Sequence, residues 1–163
     1  MKHSNIAVLL DTSFFLRFLN DDDPLFKNAD AYFRYFLQED ITMMVSTIAI
    51  AEYCVGGDVQ ELPLKNIQIL PFNLNHAQKT GEFAKIAFEA RINGKLQVNK
   101  RVIIPNDAKL FAQADCEKNI EYYLSSDSES LKVYNAIQET TKPKFQFIDL
   151  NTPHHEIFGI LDF

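Results

Sequence analysis

The sequence predicts an α/β fold in which a parallel sheet is covered on both faces by helices. Two observations carry this. Short, mostly apolar runs, Ile6 to Leu10, Ile41 to Val45, Ile120 to Leu124 and Phe145 to Leu150, have the length and composition of strands, and the first, which is unbroken, looks like one buried on both faces. The stretches between them place apolar residues at helical spacing, often behind a capping residue. Strands that alternate with helices pair in parallel through right-handed crossovers. A third observation sets the scale. The chain has 163 residues, 47% of them hydrophobic, with 14 Phe and no Trp, which is enough for one domain with a full core.

The first strand, Ile6 to Leu10, runs straight into Asp11-Thr12-Ser13. These three side chains suit the start of a helix, and Phe14, Phe15, Phe18 and Leu19 continue it with helical spacing. Asp11 therefore stands where a strand ends and a helix begins. That is a capping position, and it is also where open parallel sheets bind ligands. Asp23-Pro24 predicts the next helix start, with a stripe of Leu25, Ala29, Tyr32, Phe33 and Phe36. The Asp21-Asp22-Asp23 run lacks the alternating spacing and glycine of a calcium loop and reads as a solvated capping segment.

After the second strand, Ser46 caps a predicted helix from Thr47 to about Val55, closed by Gly56-Gly57. Its stripe of Ile48, Ala51, Glu52 and Val55 puts one carboxylate on an apolar face. Such a charge needs a proton, a partner or a cation, unless it sits at the stripe edge and reaches solvent. Ile67 to Phe72 reads as a short or edge strand because Pro71 cannot donate to a ladder. Asn75 is the expected cap of a helix that reaches Ile92 and ends at Asn93-Gly94. The segment from 91 to 101 then carries Arg91, Lys95, Lys100 and Arg101 and no acid, which suits either a solvated loop or phosphate contact.

Pro105-Asn106-Asp107 is expected to open the following helix with Asn106 as cap. Asp107 then falls in the first turn, where the helix dipole favours a carboxylate. The strand at Ile120 to Leu124 stops at Ser125-Ser126-Asp127. Ser126 and Glu129 have capping-box spacing, which accounts for Glu129 and leaves Asp127 free at a strand end. Beyond the last strand, the tail from Asn151 to Phe163 is apolar enough to pack on the body or on a second subunit. His154 and His155 are adjacent, so their side chains diverge and do not read as a ligand pair.

Composition limits the partners less than it suggests. The formal charge is −6 and the isoelectric point about 5.2. That argues against nucleic acid on net charge alone, but a cation-holding carboxylate site is itself a local source of negative charge. Cys54 and Cys116 have no metal or redox spacing and are expected to be small buried thiols in a reducing cytosol. The N-terminal apolar run is too short and too interrupted for a signal peptide, and no run spans a bilayer. The expectation is a cytoplasmic protein with no membrane partner.

Four acids occupy related topological positions: Asp11, Glu52, Asp107 and Asp127. If the first strand is central, their carboxylates converge at the C-terminal edge of the sheet. Four such groups stay ionised together only with compensation, and Mg²⁺ or Mn²⁺ with oxygen ligands supplies it. A carboxylate-held divalent cation suits phosphoryl chemistry.

Asp-Thr-Ser after the first strand, Glu52 in the next βα unit, Asn106-Asp107-Ala108 opening a helix, and Ser125-x-Asp127 after the following strand resemble a PIN domain. The likeness runs in order from about Ile6 to Leu150. It implies a PIN-like three-layer α/β/α sandwich over residues 1–150, with 151–163 as an extension. It also implies a metal-dependent ribonuclease similar to the toxin half of bacterial toxin–antitoxin pairs of the VapC type. On that resemblance Asp11, Glu52, Asp107 and Asp127 hold Mg²⁺ or Mn²⁺, with Thr12, Ser13 and Ser125 as polar support and Glu129 assisting or only capping. The basic segment would guide RNA, a small antitoxin would be the protein partner, and homodimerisation is common. Ser125 replaces the family's frequent Thr, and Glu129-Ser130 replaces the usual Asp-Phe. A non-catalytic PIN-like module that binds RNA or protein is the other reading. A haloacid-dehalogenase-like phosphatase wants a second Asp where Ser13 stands, and a receiver domain wants an acidic pair beside the first strand.

Overall fold

The protein is described by a computed structural model covering residues 5–99 and 103–159. Its strands are β1 (Ala7–Leu10), β2 (Thr42–Ser46), β3 (Ile67–Leu70), β4 (Ile120–Ser125) and β5 (Gln146–Asp149). Its helices are α1 (Thr12–Phe18), α2 (Phe26–Gln38), α3 (Thr47–Tyr53), α4 (Leu74–Ile92), α5 (Ile103–Cys116), α6 (Ser128–Thr141) and α7 (His154–Phe158). All pairings in the sheet are parallel, in the order β3-β2-β1-β4-β5. The first strand is central, as the four-acid argument requires.

Chain order runs outward from β1 through β2 to β3, then returns to the other side of β1 for β4 and β5. The reversal lies between β1 and β4, and a crevice opens there beyond the strand ends. Period-two alternation explains the unbroken apolar run of β1. Ala7 and Leu9 join the core beneath α4, α5 and α6, with Phe83, Ile104, Phe111, Tyr123 and Phe147. Val8 and Leu10 join the opposite core beneath α1, α2 and α3, with Phe14, Phe15, Tyr32, Phe36 and Val45. This is the α/β/α sandwich of the PIN-like type. A bulge interrupts the β1–β4 ladder: Ala7 pairs with Ile120 but Val8 pairs with Tyr122, so Glu121 is an extra residue on β4.

Several local expectations need correction. α2 starts at Phe26, later than Asp23-Pro24 suggests; Asp23 accepts from Leu25 N at 2.8 Å and pairs with Arg17 at 2.8 Å, closing the turn before the helix. Asn73, not Asn75, precedes α4, and its N–H donates to His76 Nδ1 at 2.9 Å. α5 begins by Ile103, so Pro105 and Asn106 lie inside its first turn. Proline is tolerated there because the first N–H groups of a helix have no intrahelical partner. In α3 the buried residues are Ala49 and Tyr53, while Ala51 and Val55 are exposed. Cys54 is exposed and Cys116 half-buried, so neither is the enclosed thiol its neighbours suggested.

The tail makes contact through α7. Phe158 stacks on Tyr35 at 4.5 Å and meets Tyr122 edge-on at 5.2 Å, while Asn28 donates to the Leu150 carbonyl at 3.0 Å. Residues 160–163 lie outside the described residues, so the expected packing of Ile160, Leu161 and Phe163 does too. Among the described residues no helix is long and apolar enough to cross a membrane.

Candidate active site

The crevice at the reversal is an open cleft of about 290 Å³ lined by Asp11, Thr12, Ser13, Leu16, Glu52, Ile103, Asn106, Asp107, Leu110 and Asp127. All four acids singled out in the sequence face it. Among the described residues that line it, none is basic.

Asp11 follows β1 and caps α1: its Oδ1 accepts from Thr12 N at 2.8 Å. Its Oδ2 accepts from two hydroxyls, Ser13 Oγ and Ser125 Oγ, each at 2.8 Å. The two serines in turn accept backbone donors. Ser126 N reaches Ser13 Oγ at 3.0 Å, and Asp127 N reaches Ser125 Oγ at 3.1 Å. Both hydroxyl protons are committed to Asp11, so the 3.2 Å approach of the two Oγ atoms is a contact between acceptors. This knot ties the end of β1 to the end of β4. Burial nonetheless pushes the Asp11 carboxyl above its ordinary range, against the lowering effect of Ser125, Ser13 and Thr12.

Asp127 is the N-cap of α6, with Oδ1 accepting from Glu129 N at 2.9 Å and Ser130 N at 3.4 Å. The expected Ser126–Glu129 capping box is therefore replaced by an Asp127 cap. Glu52 is exposed at the edge of α3 rather than on its buried stripe, and it accepts from Thr12 Oγ1 at 2.7 Å. Its pKa is raised by partial burial first; Thr12 and Lys109 oppose this, and Asp11 and Asp127 add to it.

Asp107 is strongly perturbed as well. It is only 7% exposed, and its Oδ2 is buried without a hydrogen-bond partner. Burial, with the charges of Asp11, Asp127 and Glu52, pushes its pKa up to about 8, despite a hydrogen bond from buried Ser130. Ser130 is a contributor that the sequence reading passed over. Its signal was a polar residue on the inward face of α6.

A buried, unpartnered carboxylate oxygen facing three more carboxylates is what an oxygen-preferring divalent cation would satisfy. The donor set fits Mg²⁺ or Mn²⁺. Among the described residues, no three His, Cys, Asp or Glu side chains stand close enough together to form a ready-made cage. Hydrogen bonding gives the reason: both Asp11 oxygens and Asp127 Oδ1 are turned to the backbone and the serines.

Glu129 stands apart from the cleft lining. Its Oε1 accepts from Asn99 Nδ2 at 3.1 Å and lies 3.4 Å from Lys132 Nζ, while its Oε2 is buried without a partner. The Asn99 bond fastens the segment after α4 to the first turn of α6. Arg91, in the last turn of α4, and Lys95, just beyond the helix, are exposed; Lys100 and Arg101 lie outside the described residues.

No known family profile matches the chain, and no curated protein matches it in sequence. Solved structures share its fold. A chain of VapBC2 from Rickettsia felis, bound to a DNA fragment from their promoter, superposes with a TM-score of 0.57 at 17% identity, covering 88% of this chain and 100% of that one. A chain of DNA-bound VapBC from Salmonella typhimurium gives 0.54 at 15% identity, covering 89% and 98%. The likeness is one of fold, and it agrees with the PIN-like, VapC-type resemblance of the motifs.

Proposed function

We propose that the protein is a metal-dependent endoribonuclease of the VapC toxin type. The observation that carries this is the cleft at the sheet reversal, with four carboxylates and a buried Asp107 oxygen that lacks a partner. Asp11, Glu52, Asp107 and Asp127 would hold Mg²⁺ or Mn²⁺. When bound, such an ion supplies a Lewis acid that lowers the pKa of a water and neutralises charge on a leaving phosphodiester oxygen. Ser13 and Ser125 fix the Asp11 carboxylate, and Thr12 fixes Glu52. Arg91, Lys95, Lys100 and Arg101 would contact the RNA backbone, offsetting an acidic net charge with a local basic surface.

A small antitoxin is the proposed protein partner. Beside the acids lies a more apolar cleft lined by Leu16, Tyr53, Val55 and Gly56, with Glu52 and Glu61 on its wall. Val55 there is 89% exposed. An apolar segment carrying a basic side chain would match both features. Homodimerisation is part of the same reading and is checked by light scattering of the purified protein.

The test is RNA cleavage with Mn²⁺ or Mg²⁺ by wild type, Asp11→Asn and Asp127→Asn. Loss of cleavage in both variants supports the reading; undiminished cleavage in both refutes it. One observation favours a second reading, a non-catalytic RNA- or protein-binding module: the acids are not gathered into a cage. Absence of Mn²⁺ binding by wild type would favour that module.

A further inference from the structure

Tyr123 is completely buried in β4, opposite Leu9 of β1, with its ring against Phe111 at 5.0 Å and Phe147 at 5.4 Å. Packing accounts for the ring but not for the hydroxyl. That hydroxyl is buried and makes no hydrogen bond of full geometry, although the Asp11 carboxyl stands close enough to help hold its proton. A nearby tyrosine of the same core, Tyr134, donates to the Phe145 carbonyl at 2.9 Å. Leaving a phenol unpaired costs stability that a phenylalanine would not cost. Tyr123 packs on Phe111, one helical turn beyond Asp107, and its ladder partner Leu9 shares its core and stands two residues before Asp11. It therefore lies under the floor of the acid cleft, behind the residues that line it.

Two buried groups with unmet hydrogen-bonding capacity thus share one neighbourhood: an O–H that makes no bond of full geometry, and Asp107 Oδ2 without a donor. We infer that Tyr123 is a positioning residue of the cation site, whose hydroxyl donates from beneath to the Asp11–Asp107 carboxylate floor when that floor holds a divalent cation. The inference rests on the metal-site reading above. A carboxylate that binds a cation through one oxygen keeps the other for an outer hydrogen bond, which fixes its orientation and its affinity. Ser13 and Ser125 do this for Asp11 from the side; Tyr123 is the donor placed below.

The experiment compares wild type, Tyr123→Phe and Tyr134→Phe by thermal melting in EDTA and by Mn²⁺ titration, read from the free-Mn²⁺ paramagnetic resonance signal. Tyr123→Phe should melt at or above the wild-type temperature in EDTA and bind Mn²⁺ about tenfold more weakly, the lower end of the usual outer-shell effect. Tyr134→Phe should melt lower and bind Mn²⁺ like wild type. Mn²⁺ affinity of Tyr123→Phe within twofold of wild type overturns the inference. So does a lower melting temperature of that variant in EDTA, which would make the hydroxyl a contact of the metal-free fold. If wild type binds no Mn²⁺, the metal-site reading fails and this inference falls with it; if wild type binds and Tyr123→Phe matches it, only this inference fails.

Discussion

Asp107→Asn separates what the acid cleft costs from what it does. In the metal-free protein the Asp107 pKa is pushed up to about 8 from 3.8, so the folded state binds its proton more tightly than the unfolded chain does. Below about pH 4 the group is protonated in both states and costs nothing. Between 4 and 8 the unfolded chain ionises freely while the folded one resists. Stability therefore falls as pH rises, by at most about 1.4 kcal/mol per pH unit. Carried to pH 7 this reaches about 4 kcal/mol, and the acids around Asp107, which titrate with it, reduce its own share to about 1–3 kcal/mol. Asparagine keeps the shape, carries no charge and offers an N–H₂ to the neighbouring carboxylates. The variant should melt about 2–12 °C above wild type at pH 7 in EDTA, since 1 kcal/mol shifts a chain of this size by about 2–4 °C. The gain should shrink towards zero near pH 4. Saturating Mn²⁺ should reverse the order, because binding at a hundredfold excess over Kd stabilises wild type by about 2.7 kcal/mol and the variant by little. Calorimetric melts at pH 4, 5.5, 7 and 8, with EDTA and with Mn²⁺, give the full grid. A variant less stable than wild type in EDTA at pH 7, or a gain that is equal at pH 4 and pH 8, would refute the reasoning.

Other outcomes follow from the same structure. Ser125→Ala removes a donor to Asp11 and the acceptor of Asp127 N, so urea melts should show a loss of about 1–3 kcal/mol together with weaker Mn²⁺ binding. Phe158→Ala deletes the stack on Tyr35; it should lower stability by about 1–2 kcal/mol and leave Mn²⁺ affinity unchanged in a calorimetric titration. Phe111→Ala opens a hole against Tyr123, Tyr134, Phe145 and Phe147 and should cost about 3–5 kcal/mol by denaturant unfolding, enough to leave little folded protein. Asn99→Ala releases the segment after α4 from Glu129; proteolysis near residues 95–99 should accelerate while the melting temperature moves by less than about 2 °C.

The parts of the fold that depend on local pattern were the legible ones. Ile6 to Leu10 and Ile120 to Leu124 read as two-sided strands because both faces of β1 and most of β4 are buried. Asp11 read as a strand-end acid because Thr12 and Ser13 cannot extend an apolar strand comfortably. The phase of short helices was harder. α3 spans seven residues, too few for a stripe to declare itself, so the sequence points Ala51 and Val55 inward while Ala49 and Tyr53 do the packing. The start of α5 was misplaced because proline fits any position of a first turn, and Pro105 sits within that turn. Ser126 and Asp127 are both good caps. The Ser125 hydroxyl, which takes Asp127 N, helps decide between them, and that contact spans the site rather than the sequence. Tyr123 was invisible as anything but packing, since one aromatic inside an apolar strand carries no mark of what its hydroxyl faces.

The bulge at Glu121 sets the phase of everything beyond it. Without that extra residue, Ala7 opposite Ile120 would put Leu9 opposite Tyr122 and Asp11 opposite Leu124. Each later β4 side chain would turn to the other face, because strand neighbours alternate. Tyr123 would leave the aromatic core, and Ser125 would point away from Asp11. Glu121 is exposed and is not one of the residues lining the acid cleft, so Glu121→Ala should fold and bind Mn²⁺ like wild type, while deletion of Glu121 should abolish both, as circular dichroism and Mn²⁺ titration would report. A residue with no chemistry of its own works here as a spacer in the count. By one step of chain length it decides which hydroxyls meet which carboxylates.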